Sequence, residues 1–229
     1  MIIAALALSL LVPGQLQAPA AIPSDDPLNT LSLAEALNCA AEDTACREAE
    51  FQLRGQADQG VRLDHVLIRL CPAVGSSNDF DTACADRLWT DVDTINTRAA
   101  RSIVRSGAWP DWTRTAARGL WLIIQHARTE QGDYDTAFMV EALPFLLDGV
   151  AAQALTPQDY ARTTDRILLD QGGKQKFGTI RVCRNGAFDL ATISSTSDVD
   201  ANRRSLGMDI SFADLKRFMD SQCEKDAAR

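Results

Sequence analysis

The stretch Thr113–Glu130, "TRTAARGLWLIIQHARTE", decides the fold. From Leu120 to Ile124 every side of a helical wheel is apolar, and a helix that is hydrophobic all round must be surrounded by other elements. This predicts a central helix with others packed about it, a mainly α fold built as a helical bundle. The polar end of the stretch shares that environment. His126 lies four residues after Leu122 and three after Ile123, so His126 and Gln125 face at least partly inward.

The segments on either side supply the partners. "DYDTAFMVEALPFLLDGVAAQAL" gives a further helix that Pro144 kinks or ends halfway. "TPQDYARTTDRILLDQGG" carries the clearest punctuation in the chain: Thr156 as N-cap, Pro157 at the first helical position, Asp159 three residues after the cap, and Gly172-Gly173 at the exit. Upstream, Thr82 to about Ser106 places Leu88, Val92, Ile95, Ala99 and Ile103 on one stripe, with Gly107 closing the helix. Thr44 to about Arg69 spaces Phe51, Leu53, Val61, Leu63, Val66, Leu67 and Leu70 at helical steps, but Gly55 and Gly60 weaken its middle, so one bent helix or two are expected. Beyond Gly173 the period changes. "GTIRVC" and "AFDLATI" flank Arg184-Asn185-Gly186, and Asn-Gly between such runs predicts a small β-hairpin within 178–193. Ser197 with Asp200, and Ser211 with Asp214, mark two short terminal helices.

The first twenty residues have the layout of a secretory signal peptide: an apolar run from Ile2 to Val12, Pro13-Gly14, and Ala18-Pro19-Ala20 as an A-x-A cleavage site before Ala21. The run is too short to span a bilayer, which takes roughly 20 residues, and no transmembrane anchor follows. An exported chain, periplasmic or extracellular, with one helical domain over 21–229 is the expectation. All six cysteines lie in that part: Cys39, Cys46, Cys71, Cys84, Cys183 and Cys223. An even count in an exported chain favours disulfides. Sequence order suggests Cys39 with Cys46, Cys71 with Cys84 and Cys183 with Cys223, among about 15 possible pairings. The first pair requires a break near Glu42-Asp43-Thr44, since seven residues of straight helix would hold the two too far apart. With two histidines and no C-x-x-C, a zinc site has little to build from; no metal and no cofactor is expected. The formal charge of −8 makes nucleic acid a poor partner.

"DQGGKQKFGTIRVC", Asp170–Cys183, imitates part of a phosphate loop but lacks the Lys after its second Gly and follows a helix instead of a strand, which excludes a P-loop. Gly172-Gly173 is accounted for by the helix exit. Gln175, Gly178 and Thr179 are not. Asp165 shares a face with Ala161 and Leu168, and Arg166 sits beside Arg162 and Asp170. A buried carboxylate needs a cationic or hydrogen-bonding partner. Two readings stay open: an internal polar network that fixes helix packing, or the wall of a cleft.

Four stretches in this order resemble a known family: "GAWPDW" after a helix carrying Asp93 and Asn96, "WLIIQHA", "TDRILLDQGGKQKFGT", and "NRRSLGM". Over about residues 93–208 the chain is similar to the bacterial family catalogued as domain of unknown function 6624. That family shows a Gly-Trp-Pro turn, Gln-His-Ala-Asp ending a helix, Asp-Arg followed by G-x-x-Q-x-[YF]-G-T, and a late Arg-Arg. The departures are Ala108 before Trp-Pro, Arg128 in place of the Asp next to His126, and Ile180 where Gln commonly follows. The resemblance implies a mostly helical fold and no established activity.

If His126, Asp165, Arg166, Gln175, Thr179 and Arg203 or Arg204 converge, His126 is a candidate general base oriented by Asp165. Gln125, the arginines, Gly178 and the Thr179 backbone would then hold an anionic group. The expectation is a domain that binds a small anionic molecule or a partner protein, with an exported hydrolase acting through His126 as the alternative. The four tryptophans are chiefly packing residues, although Trp109 to Trp112 could form an aromatic lip. No G-x-S-x-G elbow or other named catalytic signature is present.

Overall fold

The central helix is there. In the structure, a computed structural model describing residues 26–107 and 110–227, α5 (Arg114–Gln125) buries Ala116, Ala117, Leu120, Ile123 and Ile124 almost completely. The expected leader at 1–20 and Trp109 lie outside the described residues. Around α5 pack α2 (Thr44–Gly60), α4 (Thr82–Val104), α6 (Thr136–Ala151) and α7 (Pro157–Asp170). Phe51, Ile103, Phe138, Leu146 and Ile167 from these elements, with Trp112 from the segment before α5, close over it as the main core. Each such side chain is worth roughly 1.5–3 kcal/mol when fully buried. The short α1 (Pro27–Ala36) lies against α2 and sets Leu31 beside Ala57, Val61 and Val92.

A smaller C-terminal core joins Phe188, Val199, Phe212 and Met219, from a two-stranded ribbon, β1 (Cys183–Arg184) with β2 (Ala187–Phe188), and from α8 (Thr196–Ser205) and α9 (Phe212–Ala227). The chain is therefore a mainly α single domain with one small hairpin among its described residues. Asn185 and Gly186 both take positive φ, 53° and 76°, the pair of left-handed residues that a tight two-residue hairpin turn demands.

Local chemistry explains the well-punctuated boundaries. On α7 the Thr156 side chain accepts from the Asp159 amide at 3.2 Å, while Asp159 accepts from the Thr156 amide at 2.9 Å, a reciprocal capping box. Its exit satisfies two carbonyls: Gly173 donates to Leu168 at 2.8 Å and Gly172 to Leu169 at 3.0 Å, with Gly172 left-handed at φ 73°. The 44–69 region divides into two helices, α2 and α3 (Asp64–Leu70). Pro144 does not end its helix, which runs unbroken from Thr136 to Ala151.

Three expectations need correction. The cap of α8 is Ser195, which accepts from the Asp198 amide at 3.1 Å; Ser197 sits inside the first turn and bonds Ser195. The ribbon is only two residues deep, because Leu190–Thr192 coils into a 3-10 turn and Ile180 is drawn off by Gln175. Of the expected apolar stripe, Phe51, Val61, Val66 and Leu67 are buried, but the inner face of α2 is otherwise carried by Glu50, Arg54, Gly55, Ala57 and Asp58, with Leu53 only half-buried and Leu63 exposed. Ser211 does cap α9, accepting from Asp214 at 3.2 Å.

All six cysteines are paired: Cys39–Cys46, Cys71–Cys84 and Cys183–Cys223, with Cα separations of 5.6, 5.5 and 5.5 Å. The first is possible because Cys39 lies in the turn before α2, whose cap is Asp43; the third ties β1 to α9. No described helix is long and apolar enough to cross a membrane.

Candidate site at the end of the central helix

Along α2 and the turn that leaves it, Glu50, Arg54, Asp58 and Arg62 follow one another at four-residue steps, so they lie one above another on a single face and run alternately negative and positive. Three of them are buried and Arg62 is half-buried. Arg54 donates to Glu50 Oε1 at 2.8 Å and to Asn96 Oδ1 at 3.2 Å. Arg62 donates through Nη2 to Asp93 Oδ1 at 2.6 Å and through Nη1 to the Asp58 carbonyl at 2.5 Å. The facing stripe of α4 contributes Asp93, Asn96 and Thr97, all buried. A polar seam thus runs between two core helices, each charge matched by an opposite one.

His126 closes this seam. It is the residue that ends α5, and its Nδ1 lies 3.0 and 3.1 Å from the two carboxylate oxygens of Asp58. Asp58 has no solvent exposure, while the His126 side chain is 22% exposed. An ionised carboxylate accepts only. Nδ1 therefore carries a hydrogen whether the ring is neutral or cationic, and Nε2 is the nitrogen that Asp58 does not hold. Arg128 stands with Nε 3.7 Å from Asp93 Oδ2, its Nη1 donating to the Gly132 carbonyl at 3.0 Å and its guanidinium carbon 3.9 Å from the Tyr134 ring centroid. The Arg128 amide donates to Thr97 Oγ1 at 3.0 Å, which sets the direction of the chain leaving the site.

The two buried carboxylates are pushed apart. Burial drives Asp58 upward, but the His126 hydrogen bond, the His126 and Arg62 charges and the Gln59 amide outweigh it, so its carboxyl lies below the ordinary value. Burial drives Asp93 upward too, and there it wins against Arg62, helped by the nearby negative charge of Asp58. The signs then differ. A depressed Asp58 stabilises above its unfolded pKa and loses that contribution as pH falls through its lower folded value. A raised Asp93 imposes a cost that grows as pH rises from the unfolded pKa through the folded one, and acid relieves it. Asp58→Asn is therefore expected to flatten the fall of urea midpoint below about pH 4, and Asp93→Asn to flatten a decline above it. An acid limb in Asp58→Asn as steep as in the parent would show that Asp58 is not the group titrating there.

Asp58, Asp93 and His126 present ligand-type atoms within 4.8 Å of one another. Arg62 and Arg128 already supply two positive charges to the two carboxylates. Adding a divalent cation would bury net positive charge, which the seam gives no means to compensate.

The other expected site residues are placed differently. Asp165 does not orient His126. It accepts from the amides of Lys176, Phe177 and Thr179 at 2.7, 2.9 and 2.8 Å and from Thr179 Oγ1 at 2.7 Å. Gln175 is wholly buried and bonds Ile180 in both directions, at 2.9 and 2.8 Å, and Thr192 at 3.0 Å. Gly178 takes φ 65°, and a side chain there would meet the Phe212 ring at 2.6 Å. Arg203 is buried and donates to the carbonyls of Ile210 and Phe177 at 2.9 and 3.1 Å, while Arg204 is exposed on α8. Asp165, Gln175 and Arg203 form a brace that fixes the 174–180 loop to α7, the Leu190–Thr192 turn and α8. Gln125 donates to Thr163 Oγ1 at 2.5 Å, which joins α5 to α7. Arg166 is half-buried, its guanidinium carbon 5.5 Å from the Tyr134 ring centroid. Trp112 packs on Phe51 at 5.2 Å between centroids, a core contact and not a lip.

Of the expected set, His126 alone lies on the polar seam. Asp58, Asp93, Arg62 and Arg128 were not singled out by the sequence as site residues, although the charge alternation at four-residue steps along 50–62 sets Asp58 and Arg62 on one face. Compared with known proteins, the chain matches no family model, no curated protein and no solved structure.

Proposed function

We propose that the protein is an exported domain, akin to the family its 93–208 region resembles, that binds a small anionic molecule beside His126 and exchanges a proton with it through Nε2. One observation carries this reading: the Asp58 carboxylate holds Nδ1 of a histidine that is itself partly open. Such a partner fixes ring orientation and tautomer and leaves the second nitrogen to act as a base. The half-buried Arg62 and Arg128 guanidiniums on the same seam are groups of the kind that hold a carboxylate or phosphate. Three disulfides fit an oxidising compartment. With every cysteine paired and no hydroxyl bonded to Nε2 among the described residues, the group that His126 would deprotonate is the ligand itself or a water, which makes hydrolysis the reaction class to test first.

The ring nitrogens of a protein labelled with nitrogen-15 histidine report directly on this. His126 is expected to show the tautomer with hydrogen on Nδ1, and its Nε2 signal to move on addition of acetate or inorganic phosphate. The exposed His65 is the internal control. Asp58→Asn should abolish the tautomer preference. Equal responses of His65 and His126 to both anions would end the proposal.

A further inference from the structure

A cleft of about 190 Å3 lies between Tyr134, Met139, Arg166, Leu169, Asp170 and Ile180, outside the seam that holds Asp58 and His126. Its geometry follows from two adjacent residues. A helix turns by roughly 100° per residue, so Asp165 enters the 174–180 loop while Arg166 reaches the cleft. By holding that loop, Asp165 and Gln175 also fix the position of Ile180, whose amide and carbonyl are both bonded to Gln175. The apolar wall of Met139, Leu169 and Ile180 is thus built before any ligand arrives.

Arg166 is the unspent group. It has no carboxylate partner among the described residues, and its Nε is buried without a hydrogen bond. Asp170, the carboxylate at the rim, is engaged by the Thr136 hydroxyl. Positive charge is crowded here in a chain whose formal charge is −8. Arg162 lies one turn before Arg166 on α7, and its guanidinium is repelled by those of Arg166, Arg118 and Arg181. Guanidinium donors facing an apolar wall match a molecule with an anionic head and an aliphatic body.

We infer that this cleft binds a small aliphatic monocarboxylate, its carboxylate on Arg166 and its chain against Met139, Leu169 and Ile180. The volume has room for roughly six water-sized groups, which suits an acid of about four to six carbons. Neither the site nor its ligand depends on the proton-transfer reading of His126.

Hexanoate is the probe, titrated into methyl-labelled protein with hexan-1-ol, inorganic phosphate and N-acetyl-leucine in parallel. Saturable shifts of the Met139, Leu169 and Ile180 methyls are expected with hexanoate and not with hexanol or phosphate. Arg166→Gln should weaken hexanoate roughly tenfold or more at an unchanged melting temperature, and His126→Ala should leave it unaltered. That last arm separates the two proposals: a silent His126 with hexanoate bound in the cleft removes only the earlier one. Absence of methyl shifts, equal shifts from hexanol or phosphate, or full binding by Arg166→Gln would overturn the inference. Tighter binding of N-acetyl-leucine would also overturn it by assigning the cleft to a peptide terminus. If Arg166→Gln does not fold, the contrast between hexanoate and hexanol in the unaltered protein decides alone.

Discussion

Replacing Asp165 by alanine is expected to lower the stability of the fold by about 4 kcal/mol or more, and the melting temperature by on the order of 10 °C. The carboxylate is fully buried and accepts four hydrogen bonds from a single loop. Alanine leaves the Lys176, Phe177 and Thr179 amides facing a small apolar void, each unsatisfied donor costing roughly 1–3 kcal/mol. One effect opposes this. Burial pushes the Asp165 carboxyl above its ordinary value even though the loop's amides and the Thr179 hydroxyl pull it down, so the ionised group carries a desolvation cost that alanine removes. Four bonds to one group outweigh it. Asp165→Asn, which keeps one acceptor oxygen and discards the charge, should lie between alanine and the parent, and Thr179→Val should cost only about 1 kcal/mol. Urea unfolding of the three variants measures the series. An alanine variant as stable as the parent would mean that the loop is held by Gln175 and Arg203 without Asp165.

The same residues show how far the sequence could be read. Elements fixed by chemistry within four residues were legible: the reciprocal cap of Thr156 and Asp159, the glycine exit of α7, and the Asn185-Gly186 turn are local hydrogen-bonding solutions that the residue types alone demand. The all-round apolar run at Leu120 to Ile124 located the centre of the bundle for a similar reason, since no arrangement leaves it exposed. Tertiary pairing was legible for the cysteines but not for the polar side chains of the site. His126 and Asp165 were natural partners by residue type, yet the carboxylate that reaches His126 comes from Asp58, 68 residues away. Glu50, Arg54, Asp58 and Arg62 form a pattern that on most helices is a solvated, salt-bridged surface. Nothing in the pattern says that it faces inward. The deciding information lies in α4, where Asp93, Asn96 and Thr97 give the seam an acceptor-rich wall. Asp165 and Arg166, adjacent in sequence, also diverge because a helix sends neighbours to different sides.

What brings that seam within reach of His126 is a close crossing of two helices, and Gly119→Ala should disrupt it at a cost of about 3 kcal/mol. A side-chain carbon on Gly119 would lie 2.5 Å from the Phe51 carbonyl oxygen, and one on Gly55 would lie 2.6 Å from the Gly119 α-carbon. Both obstacles are backbone, so neither can rotate away, and α2 and α5 must separate. Alanine gains about 1 kcal/mol over glycine in helix propensity, so overpacking has to exceed that for the sign to hold; a methyl group lodged against a main-chain oxygen does. The consequence reaches the site. Asp58 lies one turn beyond Gly55 on α2, and His126 lies two turns beyond Gly119, at the end of α5. Spreading the helices at the glycines therefore lengthens the 3.0 Å contact between Asp58 and His126. Thermal melting measures the first effect and the His126 ring nitrogens measure the second. The expected variant is folded, less stable, and without a fixed His126 tautomer. Unchanged stability together with an intact tautomer would show that α2 and α5 slide past the added methyl, and that the Asp58 contact is set by Arg62 and Asp93 and not by the glycine crossing.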